Sequence, residues 1–395
     1  MRFRHSHTLP ALAIGVAMAL TISACDSATV DSVSPDISVD VDELQHGDII
    51  PGQYIVVVDE ARAGKAPELV VDDLLRDEDV ELLYRYGAAL QGFAGKMSPE
   101  QADELARDDR VKYVEPDRMI ILAPKPGKGK PGGGDGGGTP PQEAPWGITR
   151  VNGGASGTGK IAWVIDTGID LDHPDLNVDA SRGFNAFSSG KDGRSLDDGH
   201  GHGSHVAGTI AAIDNNIGVI GVAAGATVIP VKVLSSRGSG STSGVIAGVD
   251  HVADNAADAD VANMSLGGGV STTLDNAVIA ASSSVPFTLA AGNESDDANN
   301  HSPARANGTN IYTISAIDIN DNFAYFSNYG NPPIDYAAPG VSIESTWKNG
   351  GYNTISGTSM AAPHVAGILL LPGGISGGGT VNGDRDSTAD VIAVH

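Results

Sequence analysis

The sequence predicts an α/β protein, a doubly wound parallel sheet preceded by a small α+β domain, and three observations carry that expectation. From residue 142 onward, apolar stretches of strand length (161–166, 227–234, 261–266, 285–291 and 311–317) alternate with segments of helical pattern such as 243–255 and 273–283. Those stretches are apolar nearly throughout, as expected of parallel strands covered on both faces. The composition agrees: 52 glycines, 5% aromatic and 41% hydrophobic residues suit tight turns and small-residue packing.

The remaining elements follow in chain order. Arg2 and Arg4 precede an apolar run from Leu9 to Leu20, too short for a permanent bilayer span but of the length of an export signal core. The run ends Ile22-Ser23-Ala24-Cys25, so residues 1–25 read as a signal peptide with a lipobox-like cleavage site, Cys25 being its lipidation residue. An ordinary small-residue cleavage site is the other reading. Residues 26–48, rich in Ser, Asp and Val, are expected to be a flexible acidic spacer. A small domain follows at 49–123, with a strand at 53–58, a helix opened by Ser98 over 99–108, and a strand at 110–115. The Gly/Pro-rich stretch 124–141 is a linker, and 142–395 is the large domain.

Forty-nine acidic against 24 basic residues leave a net charge of −25, which repels phosphate backbones and anionic lipid, so nucleic acid is not an expected partner. One cysteine excludes an intramolecular disulfide and a cysteine zinc site.

Four positions carry chemistry. Strand 161–166 ends on Asp166, at the carboxyl rim where α/β sites collect, although an Asp there also serves as a plain turn cap. The loop 199–205 holds His200, His202 and His205 and runs into a small-residue helix; a solvated turn is the bland alternative. Thr358-Ser359 opens another small-residue helix, with Pro363 expected in its first turn and Ser359 facing solvent at the positive helix end. Asn293 follows the apolar run 289–291 and Gly292, and supplies a side-chain amide donor. Together these are a nucleophile, a base, a carboxylate and an amide donor at element ends.

In the order Asp, His, Asn, Ser, these motifs resemble the subtilisin-like serine peptidases, most closely their proteinase K branch; Ala144-Pro-Trp-Gly147 and Asp166-Thr-Gly-Ile-Asp170 carry the likeness further. The resemblance implies Ser359 as nucleophile, His202 as general base, Asp166 as its orienting carboxylate and Asn293 with the Ser359 amide as oxyanion hole. His205 matches a position beside the base, and His200 one where relatives carry other polar residues. The resemblance also implies two substrate edges, Ser239-Gly240-Ser241 and Ser265-Leu266-Gly267-Gly268. Ala298 is the expected floor of a pocket for apolar or aromatic side chains, with Glu294 and Asp297 nearby. Residues 53–123 resemble the family's propeptide, a chaperone and inhibitor removed by self-cleavage between Leu122 and Trp146. No catalytic cofactor is implied; a structural calcium is, held by Asp335 with the Thr309 and Ile311 carbonyls.

Two patterns are set aside. Residues 154–161 nearly spell a phosphate loop, but Ile161 stands where a magnesium-binding hydroxyl is needed and the loop precedes a strand. A metallohydrolase built on the histidines leaves Ser359 and Asn293 without a role. After Leu371 the chain departs from the family, with little helical pattern, so that the sheet is covered differently there or the tail is loose. The expected protein is thus a monomeric, exported bacterial endopeptidase, secreted or in the cell envelope. It acts on proteins and peptides, takes its own propeptide as partner, and meets membrane only through a lipid on Cys25. A catalytically silent binding protein on the same scaffold is the alternative.

Overall fold

The computed structural model describes residues 44–63, 66–77, 79–122 and 140–395, all within one compact unit. The expected signal segment with Cys25, the spacer up to residue 43 and linker residues 124–139 lie outside the described residues. The first domain comprises β1 (Ile49–Val58), α1 (Pro67–Asp77), β2 (Glu81–Tyr86), β3 (Gly92–Lys96), α2 (Pro99–Leu105) and β4 (Val111–Ile121). β1 pairs antiparallel with β3 and β4, and β2 with β3. Side chains alternate across a strand, and β1 uses both faces. Val56 and Val58 pack with Val71, Leu74, Phe93 and Leu105 in this domain's own core. Ile55 and Val57 instead join Val245, Leu274 and Phe287 of the large domain, which is why the strand is apolar without alternation. Helix α2 starts with a reciprocal cap, in which Gln101 N–H donates to Ser98 Oγ and Ser98 N–H to Gln101 Oε1.

The large domain contributes β5 (Ile161–Asp166), α3 (His202–Ala211), β6 (Thr227–Lys232), β7 (Ser239–Ser241), α4 (Thr242–Asn255) and β8 (Val261–Met264). It continues with α5 (Thr272–Ala281), β9 (Phe287–Ala290), β10 (Ile311–Ile317), β11 (Ile334–Pro339), β12 (Ile343–Trp347), β13 (Gly351–Ile355) and α6 (Thr358–Leu370). Two last strands, β14 (Ser376–Thr380) and β15 (Val391–Val394), follow. The main sheet runs β14-β15-β11-β10-β9-β8-β5-β6, parallel throughout except for β14. The strand ladder therefore matches the expected parallel α/β class, with helices on both faces. Trp163 and Ile165 of β5 meet α4 and α5, while Ala162 and Val164 meet α3 and α6. Among the described residues no helix is long and apolar enough to cross a membrane.

Two expectations need correction. The segment after Leu371 is not loose: β15 adds a parallel strand beside β11, and β14 closes that edge antiparallel. Val381 and Ile392 bury against Ile317 and Ala337, apolar residues too few and too spaced by glycine for a helical pattern to show. Pro363 lies in the second turn of α6, not the first. A proline there removes the N–H that would bond the carbonyl four residues back, which is that of Ser359.

His364, one residue on, is fully buried. Its Nδ1–H donates to Met360 O at 2.8 Å, its Nε2 has no hydrogen-bond partner among the described residues, and burial pushes its pKa down to about 4. The folded state thus holds a neutral imidazole that the unfolded chain protonates below its ordinary value of 6.5. Stability is full above that value and declines as pH falls toward 4. Denaturant unfolding of an uncut Ser359→Ala chain at pH 7 and pH 5 should show a decline that His364→Leu lessens by about 2 kcal/mol.

Candidate active site

β5 is apolar until its last residue, so the sheet delivers a buried carboxylate to its carboxyl rim. Asp166 Oδ1 accepts from Thr167 N–H at 2.7 Å, as a turn cap does, and also faces His202 Nδ1 at 2.8 Å. Asp166 Oδ2 lies 3.0 Å from the same nitrogen. The cap and the imidazole partner are therefore one group. His202 begins α3, and the turn before it is fixed by Asp198, which accepts from the His200, Gly201 and Ser204 amides and from the Thr167 and Ser204 hydroxyls. Thr167 Oγ1 in turn accepts from Gly203 N–H at 2.9 Å. Gly203 has no room for a side chain: an added Cβ would sit 2.0 Å from the Gly168 carbonyl, so only glycine brings α3 this close to the end of β5. The three loop histidines go separate ways. His200 lies edge-on to His202, their ring centres 6.3 Å apart, and His205 Nε2 bonds the Ile343 carbonyl.

Ser359 is the second residue of α6 and is buried at the base of the cleft, not solvent-facing as its position at a helix start implied. Its hydroxyl donates to the Ser265 carbonyl at 3.1 Å, and Ser265 Oγ donates back to the Ser359 carbonyl at 2.8 Å. That second bond satisfies the carbonyl that Pro363 leaves open. A serine hydroxyl has one proton, so in this form Ser359 spends it on Ser265 and not on an imidazole. Asn293 sits opposite. Its Oδ1 accepts from Thr358 N–H at 2.8 Å and from Thr358 Oγ1 at 3.1 Å, so Nδ2 is left to donate into the cleft. Ser265 and Thr358 have no sequence signal of their own for these tasks; each is a common small polar residue whose partner is distant in the chain.

A cleft of about 540 Å³ opens here, walled by Ser265–Gly268 residues, Ala290, Gly292, Asn293, Ala304 and Ser359. Ala298, the expected floor, packs behind this wall with Ala291, Ala304 and Ile334, because a short helical turn folds it inward. Glu294 and His301 stand on the wall, whereas Asp297 caps the turn of Asn299. One edge of the cleft, β7, is occupied: Ile121, Ile120 and Met119 of β4 pair antiparallel with Ser239, Gly240 and Ser241, and Leu122 N–H donates to Gly238 O at 2.9 Å. Gly268, the last residue of the other expected edge, pairs with Ser302, and Gly269 beyond it with His301.

The first domain is docked through carboxylates placed at helix starts. Asp117 accepts from Ser243 N–H in the first turn of α4, and Glu115 from the amide and hydroxyl of Thr273 in the first turn of α5. Burial pushes Asp117 up to about 6, against its hydrogen bonds to Ser243 and Arg118. In the reverse sense, Asp250 of α4 receives the amides of Gly87, Ala88 and Ala89.

Among the described residues no three or more His, Cys, Asp or Glu gather as a metal site. Asp335, the residue expected to hold calcium, stands on β11 next to Ile334. Desolvation pushes its pKa up to about 6, and one hydrogen bond, from Thr313 N–H at 2.9 Å, opposes this.

Comparison with known proteins agrees with this geometry. The subtilase family model matches residues 157–372, and the peptidase inhibitor I9 model matches residues 53–123. Alkaline serine exoprotease A of Vibrio alginolyticus is 40% identical over 82% of this chain, a match that spans 60% of that protein's length. M-protease of Shouchella clausii (strain KSM-K16) is 40% identical over 74% of this chain and 71% of its own. The extracellular serine proteinase of Thermus sp. (strain Rt41A) is 37% identical over 89% of this chain and 87% of its own. The crystal structure of a cold adapted subtilisin-like serine proteinase superposes with a TM-score of 0.56 at 40% identity, covering 62% of this chain and 96% of that one.

Asp250→Ala leaves three amides of the first domain without their acceptor. The cut first domain should then dissociate about 10-fold faster from the large one, measured by stopped-flow after cleavage; an unchanged rate would mean the apolar face alone holds the two together.

Proposed function

The chain belongs to the subtilase family and is a subtilisin-like serine peptidase with an I9 propeptide, and from that premise we propose that Asp166, His202 and Ser359 form its catalytic triad. The observation that carries this reading is the His202 Nδ1 contact with Asp166 at 2.8 Å. A carboxylate on Nδ1 fixes that nitrogen as the donor, so Nε2 carries the lone pair of a general base. Once the Ser359 hydroxyl turns from Ser265 to Nε2, its oxygen attacks the scissile carbonyl carbon while its proton passes to the imidazole. The carbonyl oxygen becomes an oxyanion facing Asn293 Nδ2 and the Ser359 amide, whose N–H is one of those that a helix start leaves without an intrahelical partner. Collapse of the intermediate breaks the C–N bond, and the imidazolium gives its proton to the leaving amine. Water then repeats the sequence on the acyl-enzyme, releasing the acid and regenerating Ser359.

Substrate binding follows from the same walls. A peptide paired along β7 is held through its backbone, which supports broad sequence tolerance. Leu266, Ala290, Ala291 and Ala304 make the pocket apolar, which supports large apolar or aromatic residues before the scissile bond. The β4 tail lies along Ser239–Ser241 as a product would, which supports the propeptide as an inhibitor removed by self-cleavage. Export is supported by the extracellular relative, and a lipid on Cys25 would tether the precursor through its propeptide. Calcium is proposed at Asp335 with the Thr309 and Ile311 carbonyls.

Ser359→Ala should abolish hydrolysis and leave the precursor uncut; a purified Ser359→Ala chain that still cuts itself ends this reading. Asn293→Ala should lower kcat by about 10²–10³, the loss typical of this donor in subtilisins. Chelation should lower the thermal midpoint of the parent chain and leave Asp335→Asn indifferent, measured by calorimetry; equal response of both chains removes calcium from Asp335.

A further inference from the structure

Residues 44–48 lie upstream of the segment that matches the inhibitor family and within the stretch expected to be a spacer. They form a turn instead. Asp48 N–H donates to Gln45 O at 3.1 Å, and Gln45 N–H to Asp48 Oδ2 at 2.8 Å. Gly47 has φ +85°, a conformation glycine adopts without strain. The turn lies edge-on against the β4 tail. Gly47 N–H donates to Met119 O and Met119 N–H to Asp48 O, both at 2.9 Å, while the Arg118 guanidinium holds the Gly47 carbonyl. One rung further, where the arm turns away, His46 Nδ1 takes the place of a backbone carbonyl and accepts Ile121 N–H at 3.0 Å. The tail is thus a middle strand: Leu122 bonds toward β7, Met119 and Ile121 toward the arm. Leu44, Gln45 and His46 line the same cleft as Ser359 and Asn293.

We propose that residues 44–48 are a second inhibitory strand, so that the chain closes its own substrate cleft with two segments and the tail stays shut after the linker is cut until the arm leaves. This rests on the cleft being the peptidase's substrate cleft. An extended substrate must pair along β7 and lie where the tail lies, and each tail amide held by the arm is one more bond to break before that happens. The His46 rung needs an unprotonated Nδ1. Burial lowers the His46 pKa, and His301 lowers it further, while Glu294 acts in the opposite sense.

The test uses the full chain. With Ser359→Ala to keep it intact, amide exchange at Ile121 should quicken about 5- to 10-fold in His46→Ala, the equivalent of one lost hydrogen bond. In Gly47→Val, whose turn is strained, Met119 and Ile121 should both quicken, while Leu122, bonded to Gly238, reports that the tail keeps its place on β7. In the self-cutting chain the same two substitutions should shorten the lag between cleavage and full activity on a chromogenic peptide by a similar factor. Unchanged exchange overturns the proposal, and so does an unchanged lag, which would leave the arm as packing only. A Ser359→Ala chain that is cut would remove the peptidase reading and leave the exchange result standing.

Discussion

Asp166 ties together three parts of the molecule that are far apart in the chain. Its carboxylate holds the His202 ring, its Oδ1 caps the turn after β5, and its carbonyl accepts from the Val233 and Leu234 amides that lead toward β7. Because the residue is fully buried, each of these bonds is made in a medium where an unmade one is costly. The end of β5, the start of α3 and the approach to β7 are thus set by one side chain and its own backbone. The Asp198 network repeats the device one layer out, giving the turn before His202 a single geometry.

The second constraint is that the large domain does not finish its own surface. The parallel sheet and α4 and α5 leave apolar side chains that Ile55, Val57 and Tyr86 of the first domain cover. They also leave helix-start amides that Asp117 and Glu115 fill. A sheet assembled from distant contacts folds slowly, and a partner that presents both a ready-made apolar face and two anions at helix starts lowers what must be organised at once. The same docking brings β4 along β7, so that the covered apolar face, the filled helix starts and the occupied cleft edge belong to one interface.

How far the sequence could be read depended on the range of the interaction involved. The strands 161–166 and 311–317 were visible because burial on both faces makes them apolar over their whole length, and Ser98 announced α2 because a cap is a local bond. How Ala298 packs with Ala291, Ala304 and Ile334 was not legible, because the direction of a side chain in a short helical turn depends on such neighbours and not on its own sequence. β14 gave no pattern because glycines 377–379 carry no side chains whose spacing could be read, and β15 is only four residues long, too short to announce its partner β11. The turn at 44–48 was taken for a spacer because its ordering comes from Met119 and Ile121, more than 70 positions away.

Taken alone, the order of residues determined the alternation of strands and helices, the acidic balance, and the identity of the reactive groups at element ends, since these depend on periodicity and on chemistry carried within a few positions. Tertiary structure alone decided that the Ser359 hydroxyl turns to Ser265, that Ser265 closes the carbonyl opened by Pro363, and that two separate segments lie over one cleft. Such choices are made by hydrogen bonds between groups distant in the chain, whose donors and acceptors every residue possesses and whose partners only folding selects.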